Sequence, residues 1–458
     1  MEIKNICCIG AGYVGGPTMA VIALKCPHIK ITVVDSNPDK IKAWNGPLNK
    51  LPVFEPGLSE IVEKVRDKNL FFSDDIAVNI EKAEMIFMAV NTPTKKEGEG
   101  AGFAADLQYV ELCAKDIARY SKKDKIIIEK STLPVRTAER IKEILESENK
   151  NVNFEVLSNP EFLAEGTAIQ DLFKSDRVLI GGDESESGKS AVKALFDIYA
   201  NWIPKEKILT TNVWSSELSK LASNAMLAQR ISSINSLSAL CEKTGADIQE
   251  LSKAIGMDHR IGPHFLNASV GFGGSCFEKD ILNLIYLSRY YNLEEVADYW
   301  HQVIKINNFQ KNRFAKMIFD SLEGKLEGKK ISILGWAFKA NTNDSRESAA
   351  IQVSKSLLVR GGYLKIYDPM IREDQIKMDL ISYFEKTKIS EYEIKRYLKN
   401  IEITNSIDEA IYEVDAIGIM TEWELFKNYN WSNIDNSNIK VFDGRNIINK
   451  FFYSIGKP

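Results

Sequence analysis

The N-terminal half of the chain alternates short apolar runs with longer stretches in which apolar residues recur at helical spacing. Each run ends in a polar or glycine-rich turn, as expected for strands buried on both faces of a parallel sheet. Regular alternation of such strands with helices predicts an α/β fold with a doubly wound sheet. The runs occupy residues 3–9, 31–34, 85–90, 126–128, 152–157 and 177–182.

The C-terminal part repeats this pattern in a weaker form. Its first run leads into Gly335 and its second ends in Asp368, as the first two runs of the chain lead into Gly10 and end in Asp35. This repeat predicts a second Rossmann-like doubly wound parallel sheet that lacks a three-glycine turn. The runs occupy residues 331–334, 364–367, 414–421 and 441–443.

Residues 214–243 contain no proline or glycine and carry apolar residues at helical spacing. A helix of about thirty residues is about 45 Å long, which is too long to lie inside one domain. We therefore expect a long central helix that joins the two sheets and pairs with its copy in a second subunit. The expected domains are residues 1–212, 213–323 and 324–458, the last entered through the linker at 324–330.

Composition narrows the class of protein. The chain has 458 residues, of which 44% are hydrophobic and 27% charged, which is typical of a soluble globular protein. A net charge of −4 without a basic stripe argues against a nucleic-acid partner. The sequence shows no apolar run long enough for a membrane span and no signal peptide. Six scattered cysteines without a C-x-x-C pair indicate a reducing, cytoplasmic location and argue against a metal site.

The turn after the first strand carries a dinucleotide fingerprint, Gly10-Ala11-Gly12-Tyr13-Val14-Gly15. Gly10 is expected to make the tight turn, Gly12 to admit the pyrophosphate, and Gly15 to let the helix pack on the strand. Asp35, at the end of the second strand, is expected to accept the adenosine ribose hydroxyls. The fingerprint therefore predicts NAD rather than NADP, and the nearby Lys40 weakens that preference.

Polar residues follow three further strands, where ligands bind in doubly wound sheets. They are Asn91-Thr92-Pro93-Thr94 after Val90, Ser131-Thr132 after Lys130, and the loop at residues 158–166. That last loop contains two carboxylates and is either the wall of a site or a solvated connection to a helix.

Residues 271–280 place Cys276 directly after a glycine-rich bend, with Asp280 four residues later. If a helix begins near Ser275, Cys276 lies in its first turn, where free N–H groups favour a thiolate, and Asp280 lies on the same face. The alternative is a buried structural cysteine. Lys220 and Asn224 lie one turn apart on the central helix, and they are either a site pair or solvated surface.

Together these segments resemble the UDP-glucose/GDP-mannose dehydrogenase family. The residues around the motifs are most similar to those of its animal-type UDP-glucose 6-dehydrogenases. The resemblance covers nearly the whole chain and adds Phe338-Lys339 and Asp344-Ser345-Arg346 to the motifs above. It implies oxidation of UDP-glucose at C6 to UDP-glucuronate with two NAD per turnover. It further implies thiohemiacetal and thioester intermediates on Cys276.

The resemblance also implies roles for individual residues. Lys220 would stabilise oxyanion charge, Asn224 would orient the reacting oxygen, and Asp280 would hold water or Lys220. Glu161 and Thr132 are the candidates for a hydrolytic proton relay. The expected cofactor contacts are Gly10, Ala11, Gly12, Tyr13, Val14, Gly15, Asp35, Lys40, Val90, Asn91, Thr92, Pro93, Thr94, Ser131, Thr132, Glu165 and Arg346. The expected substrate contacts are Glu161, Phe162, Leu163, Ala164, Glu165, Lys220, Asn224, Arg260, Asn267, Phe272, Gly273, Phe338, Lys339 and Arg445.

Arg260 matches an arginine that family enzymes take from the neighbouring subunit, so at least a homodimer is implied. Asn267 stands where the animal enzymes carry a lysine, and Phe103 replaces a basic residue of a glycine-rich loop. These departures leave a hexamer and feedback inhibition by UDP-xylose open.

Other functions predict different residues. A related enzyme acting on UDP-N-acetylmannosamine or GDP-mannose stays open. A two-electron 2-hydroxyacid dehydrogenase needs no cysteine, so Cys276 argues against it. A non-catalytic NAD-dependent scaffold would tolerate the loss of Cys276 and Lys220, and both are present.

Overall fold

The computed structural model describes residues 2–435, 438–448 and 453–457. The chain divides into two compact units. The first unit comprises Met1–Ser223 with Leu282–Tyr291, and the second comprises Asn224–Ile281 with Asn292–Pro458. Each unit contains one predominantly parallel sheet covered by helices, which confirms the predicted α/β class.

Within the described residues, the first sheet has eight strands in the order β3-β2-β1-β4-β5-β6-β7-β8. All neighbouring pairs are parallel except β6 with β7, which are antiparallel. The sequence did not predict β3 or β8. The strands are β1 Asn5–Ile9, β2 Lys30–Val34, β3 Leu70–Ser73, β4 Met85–Met88, β5 Lys125–Glu129, β6 Phe154–Ser158, β7 Val178–Gly182 and β8 Ile208–Asn212.

Helices cover both faces of this sheet, and its central strands are mostly apolar and buried. Trp44 and Phe87, both fully buried, belong to the core on one face. The helices are α1 Gly15–Lys25, α2 Pro38–Trp44, α3 Leu58–Val65, α4 Ile76–Lys82, α5 Gln108–Tyr120, α6 Thr137–Glu148, α7 Ala168–Phe173 and α8 Glu186–Tyr199.

The predicted central helix is present as α9, Val213–Thr244, and it runs without a break from the first unit into the second. Within the described range, no helix is both long and apolar enough to cross a membrane. The helices that follow are α10 Ile248–Gly256, α11 Phe277–Tyr290 and α12 Glu294–Ser321.

The part of the second sheet that the structure describes is entirely parallel, with the order β11-β10-β9-β12-β13-β14. This order matches β3-β2-β1-β4-β5-β6 of the first sheet, so the predicted internal repeat is confirmed. The strands are β9 Lys330–Leu334, β10 Tyr363–Tyr367, β11 Ile401–Ile403, β12 Ala416–Ile419, β13 Lys440–Asp443 and β14 Tyr453–Ser454. The helices are α13 Ala349–Val359, α14 Glu373–Lys386, α15 Glu391–Leu398, α16 Ile407–Ile411, α17 Glu424–Lys427 and α18 Ser432–Asp435.

Candidate active site

The glycine turn between β1 and α1 has the geometry that its sequence predicts. Gly10 has φ +112° and donates its N–H to the Val34 carbonyl at 2.8 Å. A Cβ on Gly15 would lie 2.0 Å from the Gly10 carbonyl oxygen, so α1 packs directly on the turn. A Cβ on Gly12 would meet no described atom within 4 Å. Because no side chain caps α1, its first N–H groups and the space above Gly12 suit a pyrophosphate.

Asp35 is anchored at the edge of this turn. Its carboxylate accepts the N–H of Ala11 at 2.9 Å and that of Asn37 at 3.0 Å, and it pairs with the Lys40 ammonium at 3.0 Å. Burial alone would raise the pKa of Asp35, but the two backbone donors and Lys40 outweigh it and hold the pKa below its ordinary value. An ionised Asp35 suits ribose hydroxyls and disfavours a 2′-phosphate.

The second sheet repeats this arrangement without the three glycines. Gly335 has φ +99°, and its N–H bonds to the Tyr367 carbonyl at 2.8 Å. Asp368 accepts the N–H groups of Trp336 at 2.6 Å and Ala337 at 2.9 Å. The internal repeat therefore extends from strand order to individual hydrogen bonds.

Two predicted cofactor loops are tied together at the carboxyl ends of β4 and β5. The Thr92 hydroxyl donates to the Thr132 carbonyl at 3.1 Å, and the Ser131 hydroxyl donates to the Val90 carbonyl at 2.6 Å. Of the other cofactor candidates in this unit, Tyr13, Val14, Pro93, Thr94 and Glu165 are half-buried and Asn91 is exposed. Polar groups at neighbouring strand ends form the edge at which such sheets bind ligands.

Glu161, in the loop after β6, is held by a lysine that the sequence reasoning did not select. The Lys130 ammonium lies 2.8 Å from a Glu161 oxygen and donates to Asn159 at 3.1 Å and to the Tyr199 hydroxyl at 3.2 Å. Burial alone would lower the pKa of Lys130, but Glu161 and Tyr199 outweigh it and raise the pKa. The buried cation therefore stays charged beside Glu161.

Phe162 lies beneath two cations of the first unit. The Arg177 guanidinium lies 3.9 Å from the centre of its ring, and the Lys220 ammonium lies 5.3 Å from it. Lys220 is nearly buried, which argues against the reading of this lysine as solvated surface. Leu163 is half-buried and Ala164 exposed in the same loop.

In the second unit, Cys276 is exposed, whereas the other five cysteines are buried. Helix α11 begins at Phe277, so Cys276 precedes the first turn instead of lying in it. Its carbonyl accepts the Asp280 N–H at 2.9 Å, which is the position of an N-cap residue. The prediction of a first-turn cysteine was therefore wrong by one residue, and an exposed side chain contradicts the alternative of a buried structural cysteine.

Asn224 and Asp280 meet in the second unit, where both are buried. The Asn224 amide donates to Asp280 Oδ2 at 2.6 Å, and the Lys279 ammonium lies 3.5 Å from Oδ1 of the same carboxylate. Lys220 and Asn224 lie one turn apart on α9.

The bend before Cys276 is fixed by main-chain contacts. The amide of Asn307 on α12 accepts the Phe272 N–H at 2.9 Å and donates to the Phe272 carbonyl at 3.1 Å. Gly274 donates its N–H to the Arg346 carbonyl at 2.8 Å, and a Cβ on Gly273 would lie 2.6 Å from the Glu347 carbonyl oxygen. The bend therefore admits only glycine at its closest approaches.

Predicted substrate residues of the second sheet lie at its carboxyl edge. Arg445 donates to the carbonyls of Met420 at 2.7 Å and Phe338 at 2.9 Å. Lys339 is half-buried beside the ring of Phe338. Arg346 is exposed and forms a bidentate pair with Asp344, whose closest contact is 2.6 Å.

Of three other residues that the sequence singled out, Arg260 and Asn267 are exposed and Phe103 is half-buried. Arg260 is 77% exposed and pairs with Asp258 at 2.6 Å, and Asn267 is also exposed. Phe103 lies under the Arg289 guanidinium at 5.6 Å.

Sequence reasoning also missed the charged residues Lys311 and Glu278, which are packed near the cysteine loop. Lys311 is 2% exposed, and burial lowers its pKa. Burial first, and then the Glu347 carboxylate, raises the pKa of Glu278. Hydropathy gives no signal for such residues, because lysines and glutamates at helical spacing usually mark a solvated face.

Family models match three consecutive parts of the chain. The NAD binding domain of the UDP-glucose/GDP-mannose dehydrogenase family matches residues 4–203. The central domain of that family matches residues 214–309, and its UDP binding domain matches residues 332–450.

Curated relatives match over nearly the whole length. The UDP-glucose 6-dehydrogenase of Mus musculus is 55% identical, with 98% of this chain and 90% of that protein aligned. UDP-glucose 6-dehydrogenase 5 of Oryza sativa subsp. japonica is 53% identical, with 99% and 97% aligned. A solved UDP-glucose dehydrogenase from Pyrobaculum islandicum is 28% identical with a TM-score of 0.83, covering 99% of this chain and 96% of that one. The chain therefore belongs to the UDP-glucose/GDP-mannose dehydrogenase family, as an NAD-dependent oxidoreductase.

Proposed function

We propose that the protein oxidises UDP-glucose at C6 to UDP-glucuronate and reduces two NAD per turnover. The observation that carries this proposal is the exposed thiol of Cys276 at the start of α11, in a chain that matches both an NAD binding and a UDP binding model. The relatives from mouse and rice carry the name of this activity at more than half identity.

The glycine turn, Asp35 and the joined loops around Thr92 and Ser131 would hold the cofactor. NAD, when bound, accepts a hydride from C6 in each of the two oxidations. The N–H groups at the start of α1 would bind its pyrophosphate, and Asp35 would bind the adenosine ribose. Glu165 and Arg346 are further candidates for its contacts.

Cys276 would carry the second half of the reaction. The first oxidation converts the C6 alcohol into an aldehyde, and the Cys276 sulfur adds to its carbonyl carbon to give a thiohemiacetal. Loss of a hydride from this adduct gives a thioester. Water adds to the thioester, the carbon–sulfur bond breaks, and UDP-glucuronate leaves with the thiolate restored.

Other side chains would manage charge and protons. Lys220 would stabilise the oxyanion of the aldehyde adducts, because an ammonium near that oxygen lowers the energy of its negative charge. Asn224 would orient the same oxygen, and Asp280 would keep the Asn224 amide in place while it holds the water. Glu161, with Thr132, would take the proton of the attacking water, and Lys130 would hold the Glu161 carboxylate.

Residues of the second sheet would bind the nucleotide sugar. The residues at these strand ends are Phe338, Lys339 and Arg445. The two cations would bind the phosphates, and the aromatic ring would contact the base. We also propose that the protein is at least a homodimer and that Arg260 of each subunit contributes to the substrate site of its neighbour. Its domains would be residues 1–212, 213–323 and 324–458, and its location the cytoplasm.

The test is a count of NADH per sugar with the purified chain. UDP-glucose should yield two NADH and the acid, with no free aldehyde. A yield of one NADH with released aldehyde would contradict the cysteine mechanism. Parallel assays with UDP-N-acetylmannosamine and GDP-mannose identify the preferred substrate. Faster turnover of either sugar than of UDP-glucose would contradict the proposed substrate.

A further inference from the structure

Two buried carboxyl groups of the first unit have no part in the proposed chemistry. Glu129 is the last residue of β5 and is 1% exposed, and Glu217 lies on α9 and is 3% exposed. Acidic side chains this deeply buried need a partner or a proton. The contacts of the two residues show which carboxyl group has hydrogen-bond partners and which one needs a proton.

Glu217 caps the N-terminus of helix α6, although it lies far from that helix in the sequence. Its two oxygens accept the N–H groups of Arg136 at 2.8 Å and Ala138 at 2.7 Å. Arg136 stands at the N-cap position with φ +81°, and no side chain of the helix itself provides a cap. Burial raises the pKa of Glu217, whereas the N–H groups of Ala138 and Arg136 lower it. Because these free donors and the helix dipole favour a carboxylate at a helix N-terminus, we take Glu217 as the ionised member.

Glu129 is placed differently. Neither of its oxygens accepts a hydrogen bond from an N–H or O–H of the residues that the structure describes. Its neighbours across the sheet are Met88 and Ser158, and the Ser158 hydroxyl is engaged with Ser216 on α9 at 3.1 Å.

Among the residues that the structure describes, no cation pairs with Glu129 either. The adjacent Lys130 turns the other way, to Glu161 and Tyr199. The group that reaches Glu129 is Glu217. Ser158, the neighbour of Glu129 on β6, is bonded to Ser216, which directly precedes Glu217 on α9, and the two carboxyl groups lie close enough to interact. Burial first, and then the charge of Glu217, raises the pKa of Glu129 well above its ordinary value. Two carboxyl groups in contact in a dry site hold a shared proton.

We propose that Glu129 is a positioning residue whose protonated carboxyl donates a hydrogen bond to the Glu217 carboxylate and thereby fixes two parts of the site at once. The first part is the segment between Glu129 and α6, which carries Ser131 and Thr132. The second is the turn of α9 that carries Lys220, three residues after Glu217. The inference rests on the proposed roles of Thr132 and Lys220 for its catalytic meaning.

The proton is tested by infrared difference spectroscopy of the full-length protein at neutral pH, without cofactor or sugar. Glu129→Gln should remove the C=O stretch of a protonated carboxyl. Glu60→Gln is the matched control, because hydrogen bonds at its exposed site lower the pKa of Glu60, and it should remove carboxylate bands only. Loss of carboxylate bands in Glu129→Gln would overturn the proposal.

The positioning role is tested by NAD titration of two variants. Glu129→Gln keeps a neutral donor toward Glu217 and should bind NAD like the wild type. Glu129→Met has a similar length and no donor, so it leaves Glu217 buried without its proton donor, and NAD binding should weaken on the order of tenfold. Wild-type affinity in Glu129→Met would remove the positioning role.

Thermal unfolding of both variants separates local from global effects. If Glu129→Met does not fold, Glu129→Gln decides, since a tenfold loss of NAD affinity in this isostere would contradict the proposal. All readouts use the protein without a sugar nucleotide. Their failure is therefore distinguishable from a wrong substrate assignment.

Discussion

Asn224 donates a 2.6 Å hydrogen bond to Asp280 and so links the central helix α9 to the helix that begins after Cys276. The bond is buried, and the two residues are separated by fifty-six positions in the sequence. An amide group that donates to a carboxylate has its own oxygen fixed in orientation.

Asn224→Asp should convert this bond into a pair of carboxylates. Because two adjacent carboxyl groups cannot both ionise, the pair should bind an extra proton and its apparent pKa should rise. The rate of NADH formation should therefore fall at neutral pH by on the order of 10²-fold, and partly recover as pH is lowered. Gln229→Glu on the same helix is the charge control and should keep the wild-type pH profile of kcat.

Cys276→Ala should abolish UDP-glucuronate formation while leaving the NAD dissociation constant unchanged, because no other described cysteine is exposed. Cys26→Ala is the matched control. Burial raises the pKa of the Cys26 thiol to about 11, so this thiol is inert, and its loss should lower stability but leave acid formation. Acid production by Cys276→Ala, detected by chromatography, would exclude the thioester route.

Asp35→Asn should weaken NAD binding and raise the affinity for NADP relative to NAD. The substitution removes the negative charge that repels a 2′-phosphate, and it frees the Lys40 ammonium, which now lies 3.0 Å from Asp35. The measurement is the ratio of kcat/KM for the two cofactors. An unchanged ratio would show that another group selects the cofactor.

The same carboxylate predicts a dependence of stability on pH. Since the pKa of Asp35 is lower in the folded protein than its unfolded value of about 3.9, its bonds stabilise the fold above that pH. This contribution is lost as pH falls through the folded-state pKa. The difference in unfolding free energy between wild type and Asp35→Asn should therefore shrink in acid, as urea titrations at several pH values would measure.

The sequence predicted the sheets, the repeat and the fingerprint because those depend on local pattern. It missed β8, of which one residue alone is buried, and β3, which has four residues. It also misplaced Cys276 by one residue, since helix starts depend on cap geometry.

The side-chain partnerships of the site lay beyond sequence reasoning. Lys130 with Glu161 and Asn224 with Asp280 join residues far apart in the chain. Which lysine is buried against which carboxylate depends on tertiary packing, and neither composition nor periodicity reports it.

Lys130→Met should destabilise the first unit by about 3–5 kcal/mol, because it leaves Glu161 without the cation that lies 2.8 Å away. The double variant Lys130→Met/Glu161→Gln should recover much of this stability and remain inactive. Denaturant titration with a double-mutant cycle gives the coupling energy. Additive losses would show that the pair is not coupled.

Arg260→Ala should inactivate the enzyme by acting on the neighbouring subunit. Co-expression with Cys276→Ala should restore about a quarter of wild-type activity, since one dimer in two is mixed and contains one complete site. Arg260 is 77% exposed within its own chain, which suits this role. No recovery in the mixture would place Arg260 in its own site.

The end of β5 has a consequence for insertions and deletions. Successive residues of a strand point to opposite faces, and here Glu129 faces Glu217 while Lys130 faces Glu161. Removing one residue within β5 would place the Lys130 ammonium at the carboxyl pair, and inserting one would place the Glu129 carboxyl against Glu161. The register of β5 is therefore fixed by the cost of misplaced charges as well as by apolar packing. Insertions and deletions should be tolerated in the surface loops but not in β5.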